Sequence, residues 1–189
     1  DVSEALTAVK VERLMRSTKT VLMPPRTLQK NEWPPNYDEV YVWRRSKLAE
    51  FELNPKALLN AKAFYAKPEN CVTFINHWCD THDPRNATTE KPVWMPFVLF
   101  HRQEELVKFV LVCILEDQPG LIEKCRTMGA TWACVCISVW LWLFHPGVAV
   151  GWGSQDAVSV DQLGNPKSIF FKIRGLIERL PKCFIPEGL

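Results

Sequence analysis

Residues 132–144 run Trp-Ala-Cys-Val-Cys-Ile-Ser-Val-Trp-Leu-Trp-Leu-Phe without a single charge. A helix that is apolar on all sides has to be enclosed by other elements. This one spans about four turns, too short to cross a bilayer, so it reads as a buried helix. Gly129 precedes it and His145-Pro146-Gly147 follows, both ordinary helix punctuation. The chain has 189 residues, 47% of them apolar and 23% charged, which suits one packed core and excludes wholesale disorder. A net charge of +2 neither demands nor excludes nucleic acid. The seven cysteines are odd in number, and three lie in apolar stretches, as expected of reduced thiols in a cytosolic protein. Asp1 opens a charged, mixed segment unlike a signal peptide. The Asn86-Ala87-Thr88 glycosylation pattern has no other sign of secretion beside it.

The remaining elements are placed around that helix. Residues 1–18 carry an amphipathic pattern, and two proline pairs, Pro24-Pro25 and Pro34-Pro35, mark residues 19–40 as an arm. Residues 37–66 read as helix interrupted at Asn54-Pro55, where Asn54 can cap and Pro55 can open a second helix. Residues 71–75 read as a short strand and residues 80–92 as a loop. Residues 103–116 read as a helix with a core-facing stripe at 106, 109, 110, 113 and 114. Leu121-Ile122 is a short apolar step, residues 148–152 read as a buried strand, and residues 168–180 as a last helix. Strand, loop, helix, turn and strand across 121–152 is the order of a βαβ unit.

The loop in that unit is the candidate for chemistry. Phosphate binding needs converging backbone N–H groups, a cation and a magnesium-binding hydroxyl. Against G-x-x-x-x-G-K-[ST], residues 124–131 supply Gly129 and Thr131 but place Lys124 at the first glycine and Ala130 at the lysine. On residues alone, Gly129 serves equally as a tight turn and Thr131 as a helix cap. Lys124 and Arg126 could approach phosphates from the head of the loop instead.

The run Leu121-Ile122-Glu123-Lys124-Cys125-Arg126-Thr127-Met128-Gly129-Ala130-Thr131-Trp132 resembles the deviant Walker A segment of the large terminase subunit of tailed phages, whose lysine can stand at the head of the loop. Residues 96–103 resemble that family's adenine segment, and residues 150–155 its second strand and following loop. The resemblance implies an α/β fold: a truncated P-loop NTPase-like parallel-sheet core over 37–189, behind a helical and Pro-rich arm over 1–36. It implies ATP and Mg2+ as cofactors. Gln103 would meet the adenine edge, with Phe97 or Phe100 near the base. Cys125, Thr127, Met128, Gly129, Ala130 and Thr131 would wrap the phosphates, with Thr131 on magnesium. Lys124 would neutralise phosphate charge, and Arg126 would be a second phosphate contact or the arginine that completes the site. The implied partners are double-stranded DNA, the small terminase subunit and the capsid portal, in a homo-oligomeric ring in the host cytoplasm and without a membrane. The acidic pair that family needs is missing, since residues 183–187 contain no Asp, and so is its nuclease domain. Weak or no turnover is therefore expected, and a sheet cut after two strands would leave an apolar edge that favours oligomers or poor solubility.

The alternative is a non-enzymatic, truncated interaction domain that packs on a partner through its aromatic surface and binds no nucleotide. Cys71, His77, Cys79 and His82 lie close in sequence, but their spacing matches no common zinc knuckle. Arg44, Arg45 and Lys47 beside Tyr41 and Trp43 read as a solvated helix face. Trp132, Trp140 and Trp142 read as core, and Trp33 as an anchor for the arm. Asp38-Glu39 and Glu104-Glu105 read as surface carboxylates.

Overall fold

A computed structural model describes residues 35–186 together with Pro24, Leu28 and Trp33; the helix expected over residues 1–18 lies outside them. Helix α1 (Tyr37–Leu53) opens at Asn36, whose side-chain oxygen accepts the Glu39 N–H at 3.3 Å, with Asp38 and Glu39 at the positive end of the helix. Helix α2 (Pro55–Tyr65) begins as the sequence indicates: Asn54 accepts the Ala57 N–H at 3.2 Å and Pro55 holds the first position.

A single 3-10 turn (Pro68–Asn70) leads into α3 (Cys71–Trp78). This corrects the strand expected over 71–75. Cys71, Phe74, Ile75 and Trp78 are all buried, and their spacing of three and four residues forms one helix face. A short apolar run fits either periodicity, and here the tryptophan beyond it decides for the helix.

The region expected as a loop contains strand β1 (Asp80–His82), which pairs antiparallel with β2 (Trp94–Pro96) in the register Asp80↔Pro96, Thr81↔Met95 and His82↔Trp94. Helix α4 (His101–Leu115) is turned from its expected orientation. Gln103, Val107 and Leu111 are buried, Leu106 and Val110 pack at the flank, and Phe109 and Ile114 face outward.

Helix α5 (Ala130–Phe144) is the central element, as its composition requires. It packs against α3, α4 and α7. Its Trp140 indole N–H donates to the Tyr65 carbonyl at 2.7 Å, tying α5 to the end of α2. The short α6 (Ala157–Val160) precedes α7 (Ile169–Arg179). Ser168 caps α7 by accepting the Phe171 N–H, and Pro181 follows its end. Gly175 of α7 admits the Trp94 ring from β2, which lies 2.5 Å from where a Cβ would stand.

The α/β expectation is overturned. Among the described residues the strands are β1 and β2 alone, in an antiparallel pair. Residues 121–122 and 148–152, expected as strands of a parallel sheet, belong to no ladder, and no βαβ crossover joins them. The molecule is a mostly helical domain, not a P-loop NTPase core, and so it lacks the fold of a terminase ATPase. Among the described residues no helix is long and apolar enough to cross a membrane.

Candidate functional site

Two concave features come from the segments on either side of α5. The first is a cleft of about 280 Å³ between the start of α4 and the loop before α5. Phe100, Gln103 and Leu106 form one wall, and Ile122, Lys124, Cys125 and Met128 the other. Gln103 builds it. This buried side chain accepts the Phe100 N–H at 3.2 Å through Oε1 and donates from Nε2 to the Met128 carbonyl at 3.1 Å. Gly129 makes the close approach possible: its φ is +73°, and a Cβ there would lie 2.5 Å from Gln103 Nε2. Thr127 is also left-handed, with φ 63°, and its hydroxyl turns back to the Arg126 carbonyl at 2.6 Å.

Gln103, Lys124, Cys125, Met128 and Ala130, which the resemblance assigned to a nucleotide site, line one cleft. Arg126, Thr127 and Thr131 are exposed and do not line it. Phe97 is buried in the core beneath Gly129 rather than placed beside a ligand. Phe100 does line the cleft, and Trp33 meets it edge-on at 6.0 Å. The ATPase expectation fails here on two counts. No parallel sheet presents the loop, and both polar atoms of Gln103 are already satisfied by backbone instead of facing an adenine edge. Among the described residues no group of three His, Cys, Asp or Glu side chains is placed to hold a metal ion.

The second feature is an apolar groove of about 220 Å³. Helix α5 contributes Ser138, Val139 and Trp142, and α7 contributes Phe170, Ile173 and Ile177. The third wall is Val148, Val150 and Trp152, alternate residues of the segment that follows α5. A period of two is that of an extended segment, but the buried strand expected here is not found: Val148 is 47% and Val150 42% exposed. No hydrogen bond within the described residues engages the backbone of residues 149–154. Their other face is nearly flat, since a Cβ at Gly151 or Gly153 would meet nothing within 4 Å. The Trp152 indole N–H is buried without an acceptor among the described residues. Sequence reasoning took this segment for a buried strand and missed the groove, because the helix faces that form it are contributed by α5 and α7 together.

The remaining candidates are structural. Arg44, expected in a solvated face, is a clamp on the end of α3: it donates to the His77 carbonyl at 2.5 Å and the Cys79 carbonyl at 2.9 Å, and meets Asp80 at 2.6 Å. The His77 carbonyl is one of those a helix leaves unpaired at its C-terminus, and the Cys79 carbonyl just beyond it also accepts the Phe97 N–H at 2.9 Å. His77 is buried, with Nδ1 2.8 Å from the Tyr65 hydroxyl. Burial first, then the nearby Arg44 and Lys47 charges, lowers its pKa to about 3, so the ring is neutral. The Tyr65 hydroxyl is pushed up to about 12, chiefly by burial. Cys71 and Cys136 are likewise raised by burial, which keeps them as unreactive thiols. His82 packs against Trp94, at 4.9 Å between ring centres, rather than joining the cysteines.

No protein-family model, no curated protein and no solved structure matches this chain.

Proposed function

We propose that this chain is a non-enzymatic protein–protein interaction domain that binds no nucleotide, and that its docking face is the groove between α5, α7 and residues 148–152. The observation that carries this reading is the contrast between the two concave features. In the cleft, the one buried polar side chain is hydrogen-bonded to backbone at both ends, and the charged lining residues Arg102, Glu123 and Lys124 are not buried. In the groove, apolar side chains from two helices lie beside a backbone with no hydrogen-bond partner among the described residues. A surface of that kind marks an interaction site rather than a reaction centre. Unpaired thiols, including the exposed Cys125, fit a reducing compartment such as the cytoplasm.

The direct test is titration of a fluorescent ATP analogue with magnesium into the protein and into Lys124→Ala. Equal, negligible binding in both is the expected result. Saturable binding that disappears in Lys124→Ala would overturn the reading.

A further inference from the structure

We infer that the groove is closed by a second copy of this chain, with residues 148–152 of the two copies pairing antiparallel about a two-fold axis at Val150. The inference rests on the interaction-domain reading and identifies the partner.

Three observations lead to it. Backbone groups without partners among the described residues, in a segment whose alternate residues already face one way, are the template for adding a strand. Exposed edges of this sort are normally guarded by charges that prevent self-association. Here residues 145–155 read His-Pro-Gly-Val-Ala-Val-Gly-Trp-Gly-Ser-Gln, with no Asp, Glu, Lys or Arg. The other unpaired segment, by contrast, carries Glu123, Lys124 and Arg126. An unguarded edge accepts a copy of itself without placing like charges face to face.

The sequence of the segment is also self-complementary. Pairing about Val150 sets Val148 of each copy against Trp152 of the other, and Ala149 against Gly151. An aromatic residue opposite a β-branched one is a favourable cross-strand pair. Directly opposed residues in an antiparallel pair point to the same face. The valines and tryptophans of both copies would therefore cover the α5–α7 layers of both, giving a two-stranded sheet backed by helices. A contact in which each copy offers the same patch is the usual form of a two-fold dimer.

The test uses the full chain with the exposed Cys125 replaced by serine. Sedimentation equilibrium should show a reversible dimer, and Val150→Lys should weaken association by about tenfold or more. Circular dichroism should be unchanged, because Val150 is an exposed position. Val150→Cys should form a disulfide-linked dimer under mild oxidation much faster than Leu121→Cys, a position 94% exposed and away from the axis. A monomer at all concentrations would overturn the proposal. So would a dimer indifferent to Val150→Lys, or equal cross-linking at both cysteines. A monomer that also binds no ATP analogue would leave the interaction reading standing with a different partner. Lysine-dependent nucleotide binding would remove the interaction reading itself.

Discussion

At the scale of single residues, the side chains that looked chemical are mostly those that hold the fold. His77 looked like a metal-ligand candidate because of the cysteines near it, yet its partner is a tyrosine hydroxyl within the core. That burial has a consequence for stability. The native ring resists protonation until about pH 3, whereas an unfolded histidine takes up its proton near pH 6.5. Above that value the two states bind equally, and below it the unfolded state binds more, so stability falls as the pH drops from 6.5 toward 3. The loss amounts to about 2 kcal/mol by pH 5. Thermal melts from pH 7 to pH 4 should show it, with His82, whose pKa is also lowered, adding in the same direction. In His77→Gln the slope should flatten, and an unchanged slope would place the effect elsewhere. Arg44 was misread for a related reason: its neighbours in sequence are charged, but its real partners, His77, Cys79 and Asp80, are brought to it only by the fold.

At the scale of elements, caps, prolines and long uncharged runs were legible, whereas the short apolar run opening α3 was read as a strand. The Asn54-Pro55 junction, the uncharged α5 and the capped α7 all have local causes, namely caps, proline and composition. The antiparallel pair was not legible, because Asp80-Thr81-His82 is polar and its partner lies beyond the 3-10 turn Pro84–Thr88. What fixes β2 against α7 is a long-range fit. The Trp94 ring lies over Gly175, and the Arg179 guanidinium sits 3.8 Å from the ring centre. A methyl at residue 175 would meet Trp94 Cη2 at 2.5 Å and Cζ2 at 2.8 Å, closer than real contacts allow. Gly175→Ala should therefore destabilise the domain by about 1–2 kcal/mol, since overpacking outweighs the gain in helix propensity. Denaturant unfolding of the variant measures this, and pairing it with Trp94→Phe should recover part of the loss. A stabilised Gly175→Ala would mean that the ring does not rest on the helix.

At the scale of the whole molecule, local pattern and global fold diverge. The alternation in residues 148–152 and the apolar step at 121–122 are strand signals, but a strand exists only where another strand pairs with it. Among the described residues neither segment has such a neighbour, and the helices pack around α5 instead. Of the candidate site, the tight turn at Gly129 was legible from its residue type, whereas the approach of Lys124 and Gln103 to one cleft is made by the fold. The sheet that would have given that approach a catalytic meaning depends on contacts that sequence pattern alone cannot supply. Amide hydrogen exchange on dilute protein, below the concentration at which copies associate, tests this view of the molecule most directly. The amides of α5 should be strongly protected, while those of residues 120–125 and 149–154 exchange close to the rates of an open chain. Protection of both segments to the level of α5 under the same conditions would place them inside a sheet and contradict the helical domain described above.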